Sequence, residues 1–166
     1  PGEKKGLMPT KSWKKKKTSI PWVLGDSFNS VIGQGFVETS NIQQAIMLSR
    51  FLTNKTINPV LVKNLPQTRT VEDIGFDQKN IDYIKEGLNL VTNSKKGTAY
   101  WFSIRKKRYL MAGKTGTSQI ASIDHKKNLK QDQMPYEKRN HGLFVGYAPV
   151  KEPRFAVSVI IEHGGS

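Results

Sequence analysis

The 166 residues include no cysteine, so neither a disulfide framework nor a zinc-thiolate site is available, and the redox compartment is left open. Acids are scarce as well, 13 Asp and Glu against 27 Lys and Arg, for a formal net charge of +14. The basic excess comes without a nucleic-acid signature: there is no metal-spaced Cys/His set, no aromatic ribonucleoprotein pattern and no evident helix-turn-helix. No signal peptide or membrane span is visible, which says nothing about location. Residues 1–6 and the closing Gly164-Gly165-Ser166 have the composition of cuts through a longer protein, and the chain is expected to be a piece of one.

The length suits one ordinary domain with a real core. Its positive charge sits in clusters at Lys4-Lys5, Lys14 to Lys17, Lys95-Lys96, Arg105 to Arg108 and Lys126-Lys127. Such blocks read as solvated loops or arms that attract anionic polymers or lipid without being built for them. Residues 1–29, rich in Pro, Gly, Lys and Ser, read as an extended surface loop pinned by Trp13 and Trp22. Residues 30–96 read as a helical part. After a Gly33-Gln34-Gly35 loop, with Thr39 or Ser40 as N-cap, Ile42, Ala45, Ile46, Leu48, Ser49 and Leu52 recur at helical spacing. Residues 58–62 suggest a short strand or extended segment. From Asp77, Ile81, Ile84, Leu88 and Val91 fall on one face, and Asn93 and Gly97 signal a stop. The Gly-Gln-Gly run lacks the preceding strand and third glycine of a dinucleotide cradle.

Residues 97–166 read as a sheet part. The apolar run from Tyr109 leads into Lys114-Thr115-Gly116-Thr117, a strand whose edge carries an ammonium, two hydroxyls and, at Gly116, no side chain, so another backbone can approach. The bland reading of the same tetrapeptide is a bulge with a guard lysine. Residues 122–140 predict a long polar loop. Residues 141–149 and 154–162 predict two further strands joined by a short turn, hence an antiparallel hairpin. Helices ahead of strands make the fold α+β with an antiparallel sheet.

The Gly-Gln-Gly loop, two helices, Gly97-Thr98-Ala99, the Lys-Thr-Gly-Thr strand, Phe144-Val145-Gly146-Tyr147-Ala148-Pro149 and Glu162-His163-Gly164-Gly165 follow one another in an order that resembles the C-terminal part of the penicillin-binding transpeptidase domain. The resemblance is strongest to class B members of the penicillin-binding protein 2 type. It implies a partial domain of the serine β-lactamase-like fold. It also implies acyl transfer by an active serine on stem peptides ending in D-Ala-D-Ala, inhibition by β-lactams, and a parent anchored in the inner membrane with its catalytic domain in the periplasm. Partners implied are the rest of the parent transpeptidase domain and membrane proteins of cell elongation; no cofactor, metal or specific nucleic acid is implied.

Of the three family signatures, Ser-x-x-Lys, Ser-x-Asn and Lys-Thr-Gly, the resemblance maps only the last onto this chain. Lys114 would supply positive charge, Thr115 and Thr117 would hold the substrate carboxylate, Gly116 would admit the acyl chain as an added strand, and the Thr117 N–H would be one of two oxyanion donors. Ser12-Trp13-Lys14-Lys15 and Ser103-Ile104-Arg105-Lys106 match Ser-x-x-Lys formally. The first falls in a lysine-crowded loop and the second just ahead of the strand, with no room for the buried helix the chemistry wants. Ser27-Phe28-Asn29 falls too late for the Ser-x-Asn element. No nucleophile is therefore expected here, the piece alone is expected to be inactive, and one face of its sheet is expected to be bare and prone to self-association. His125, His141 and His163 read as solvated or strand-end residues, and Glu162 as structural. A β-lactam sensor or a class D β-lactamase-like domain would also keep Lys-Thr-Gly, and a basic nucleic-acid-binding module is the alternative from another class.

Overall fold

Thr10 begins the first helix: its Oγ1 accepts the Trp13 N–H at 3.1 Å and caps α1, Lys11–Thr18. The structure, a computed structural model, describes residues 4–62, 70–119 and 133–165. The lysine block is thus helical, and the extended loop expected over 1–29 is corrected. Lysine is a good helix former, three lysines sit in the last turn, where positive charge is favoured, and Ser19 ends the helix in a left-handed conformation (φ 61°). The crowding of like charge is relieved because the buried Lys14 points its ammonium at Asp26, 2.6 Å away.

Asp26 also accepts the Val23 N–H at 2.7 Å and so starts α2, Leu24–Val31. The hydrogen bond from Lys14, and then that from Val23, hold the Asp26 carboxyl below its usual range. Trp13 and Trp22 do act as anchors. Trp13 packs edge-on against Phe36 with centroids 5.3 Å apart, and the Trp22 indole donates to Ser27 Oγ at 2.9 Å. A backbone bridge joins Leu7 to Glu38, and this first unit, Pro1–Ser40, is separate in its contacts from the second, Asn41–Ser166.

In the second unit α3, Asn41–Thr53, starts directly after the expected Thr39 or Ser40 cap. α4, Gln78–Asn93, is capped by Asp77, whose carboxylate accepts the Lys79 N–H at 2.8 Å. Leu48 and Ile81, both expected to face the core, are buried, while Ile42 and Ile84 are about half exposed. Residues 58–62 join no ladder; the pairing nearby is a single bridge between Lys55 and Asp73.

The sheet comprises β1, Ala112–Ser118, β2, His141–Ala148, and β3, Phe155–Ile161, antiparallel and in that order. The hairpin is where the sequence puts it. β1, however, starts at Ala112 rather than at Tyr109. Residues Lys107–Tyr109 form a 3₁₀ turn, and the next two carbonyls are taken outside the ladder, Leu110 by the Val150 N–H and Met111 by side chains of α4.

Leu48 of α3 meets Ala112 and Tyr147 of the sheet, with Leu52, Leu88, Val145 and Ala156 around them. This core covers one sheet face. The opposite face carries the Phe144 ring over Gly113 and Gly146, where a Cβ would collide with it. Farther along, Phe155, Val157, Val159 and Ile161 are exposed there, the bare face that the sequence leads one to expect. Burial pushes the Tyr147 phenol up from its ordinary value.

Candidate functional site

Side chains alternate along a strand, so Lys114 and Gly116 share the helix-covered face with Ala112, and Thr115 and Thr117 share the other. Their polar groups converge only at the outer edge of β1, the side away from β2. In an antiparallel ladder, successive residues turn their N–H and C=O alternately toward and away from the neighbour. The Met111 carbonyl meets Thr92 Oγ1 at 2.7 Å and Asn93 Nδ2 at 2.9 Å, and the Thr115 carbonyl meets Lys114 Nζ at 2.8 Å. Odd-numbered residues therefore face outward, and the Thr117 N–H with them.

Lys114 is exposed, and its ammonium also lies 3.5 Å from Thr115 Oγ1. That hydroxyl is 2.9 Å from Thr98 Oγ1. The position of Thr98 follows from α4. Thr92, fully buried, and Asn93 clamp the helix end to Met111. Gly97 then turns so close beneath the helix that a Cβ would collide with the carbonyls of Leu90 and Val91, and the Ala99 N–H donates back to Val91 O at 3.0 Å. Thr98 is thus held across from the middle of β1. Sequence reasoning assigned it no role; the signal was a Gly-Thr-Ala placed just beyond a helix stop.

An ammonium and two hydroxyls gathered at the outer edge of β1, where no strand pairs among the described residues, have the chemistry to draw a carboxylate.

The formal serine matches fare differently from what the sequence suggests. Ser12 lies in the first turn of α1, not in a loop, with its Oγ 3.1 Å from Thr10 Oγ1, but Lys15 is exposed and so is no desolvated base. Ser103 donates its hydroxyl to Tyr100 O at 2.9 Å, and Ser27 accepts from Trp22. None has the buried lysine partner of an activated serine.

His141 and His163, distant in sequence, are neighbours. The His163 N–H donates to His141 Nδ1 at 2.9 Å, the rings stand edge-on at 4.9 Å, and Tyr136 packs on His163 at 4.9 Å. They stand at strand ends, as expected, and in addition tie the end of β3 to the start of β2. His125 lies outside the described residues, as does most of the long polar loop. Among the described residues, no group of three His, Cys, Asp or Glu is placed to hold a metal ion. Glu162 follows β3 directly and its carbonyl lies 3.5 Å from the Tyr136 hydroxyl.

The penicillin binding protein transpeptidase domain profile matches residues 1–166. The peptidoglycan D,D-transpeptidase MrdA of Acinetobacter baumannii is 30% identical over 100% of this chain and 26% of its own length, and that of Escherichia coli K12 is 29% identical over 99% and 27%. Among solved structures, Pseudomonas aeruginosa PBP2 in complex with WCK 5153 superposes with a TM-score of 0.81 and 33% identity, over 99% of this chain and 35% of that one. PBP2 of Helicobacter pylori in complex with MreC gives 0.81 and 27%, over 99% and 28%. The chain spans about a quarter of the length of these curated relatives. With the Lys-Thr-Gly edge, the α+β sheet and a match over the full length, the chain belongs to the penicillin-binding protein transpeptidase domain family.

Proposed function

We propose that this chain forms one wall of the active site of a peptidoglycan D,D-transpeptidase, a parent that acylates itself on the D-Ala-D-Ala end of a stem peptide and passes the acyl group to an acceptor amine. The observation that carries the reading is the edge cluster of Lys114, Thr115 and Thr98 beside the outward N–H of Thr117. Lys114 draws the terminal carboxylate by charge, Thr115 and Thr117 hold it, and Gly116 leaves room for the acyl chain along the strand. The Thr117 N–H stabilises the oxyanion, a contribution typically worth about 3 kcal/mol of barrier. The serine nucleophile and the Ser-x-Asn element belong to the rest of the parent domain.

On this reading the parent binds β-lactams, is anchored in the inner membrane with its catalytic domain in the periplasm, and works with membrane proteins of cell elongation; the structure of Helicobacter pylori PBP2 in complex with MreC supports a protein partner for it. Fluorescent-penicillin labelling tests the proposal. A labelled parent beside an unlabelled 166-residue chain is the expected result; covalent label on the chain alone would place the nucleophile within it and overturn the division of the site.

A further inference from the structure

We infer that Thr98 is a positioning residue for substrate binding: its hydroxyl donates to Thr115 Oγ1 and thereby frees the Thr115 proton for the substrate carboxylate. The inference rests on the carboxylate-receptor reading of Lys114 and Thr115. A threonine hydroxyl has one proton to give and two lone pairs to fill, a carboxylate only accepts, and an ammonium only donates. Lys114 Nζ lies 3.5 Å from Thr115 Oγ1 and Thr98 Oγ1 lies 2.9 Å from it. If Thr115 spent its proton on Thr98, nothing would remain for the carboxylate. With the ligand in place both neighbours must therefore donate into Thr115, Lys114 into one lone pair and Thr98 into the other, and the single Thr115 proton points outward along the strand edge.

The arrangement is fixed rather than incidental. Thr98 stands between Gly97, pressed against the last carbonyls of α4, and Ala99, which is buried and bonded back to Val91. A plain structural tie between turn and strand would need only the same distance. It would not care which atom donates or whether a carboxylate is bound.

The parent protein, its fold checked by thermal melting, is acylated by a penicillin and by the methyl ester of the same penicillin, which lacks the carboxylate. Thr98→Val keeps the shape and removes the donor. One neutral hydrogen bond corresponds to a loss of about fivefold in the acylation rate constant for the free acid, with the ester rate unchanged and the loss carried in apparent affinity rather than in the limiting rate. Thr98→Ser restores the acid rate to within about twofold. Equal slowing of acid and ester, or no slowing of either, overturns the inference, and Thr98→Ala gives the same readout if the valine variant fails to fold. Thr115→Val separates the two levels: if it slows the acid while Thr98→Val does not, only the role of Thr98 falls. If Thr115→Val and Lys114→Ala both leave the acid rate intact, the receptor reading itself falls.

Discussion

Lys114 reaches its partners because β1 has no strand on its outer side among the described residues, so a long side chain rooted on one face curls round the edge to the Thr115 carbonyl at 2.8 Å. Thr115, rooted on the other face, meets it there. Across the sheet the limiting residue is Phe144, whose ring lies over Gly113 and Gly146. Gly146→Ala is expected to force that ring and the Ala112 carbonyl aside, at a cost of about 1–3 kcal/mol for an overpacked site, read as a lower urea midpoint with an unchanged slope. The Lys-Thr-Gly-Thr edge was legible in the sequence because its chemistry is local: four consecutive residues carry it. Thr98 was not, because its role depends on a turn that folds back over α4 and on a partner 17 positions away. The His141–His163 contact was hidden for the same reason, 22 positions separating a ring from the backbone N–H it accepts.

At the level of elements, the junction of α4 with β1 sets the site. Thr92 and Asn93 share the Met111 carbonyl, which ends the 3₁₀ approach and orients the strand that follows. Thr92→Val, isosteric and fully buried, is expected to cost roughly 1 kcal/mol for the lost hydrogen bond and to loosen the start of β1, which follows directly on Met111. Hydrogen exchange of β1 amides checks this, and unchanged protection would contradict the clamp. α3, α4 and the hairpin were legible because apolar periodicity and turn residues are strong there. α1 was misread because a run of lysines carries no apolar stripe, and what makes it helical is a cap at Thr10 and a part-buried ion pair 12 positions apart. The start of β1 was placed too early because Leu110 and Met111 look like strand residues, yet their carbonyls are engaged elsewhere in the fold.

For the whole molecule, stability is bounded on both sides of neutrality. The Asp26 carboxyl titrates below its ordinary 3.8 in the folded chain, so its contribution is complete above that value and is lost as pH falls through the lower folded value. Tyr147 titrates above its ordinary 10.0, so the folded state is favoured by the neutral phenol below that pH and loses ground as pH rises beyond it. Melting temperatures measured against pH should fall at both ends; Asp26→Asn should flatten the acid limb and Tyr147→Phe the alkaline one. The bare apolar face of β3 predicts that the 166-residue chain self-associates, with a sedimentation coefficient that rises with concentration, whereas a coefficient independent of concentration would contradict that expectation.

The central claim, that the outer edge of β1 receives the substrate, rests most directly on Lys114. The decisive measurement is the second-order rate constant for acylation of the parent by a penicillin, before and after Lys114→Ala, with circular dichroism to establish that the exposed substitution leaves the fold intact. Removing a charge-assisted partner of the carboxylate predicts a drop of roughly tenfold to a hundredfold. An unchanged rate constant in the folded variant would contradict it.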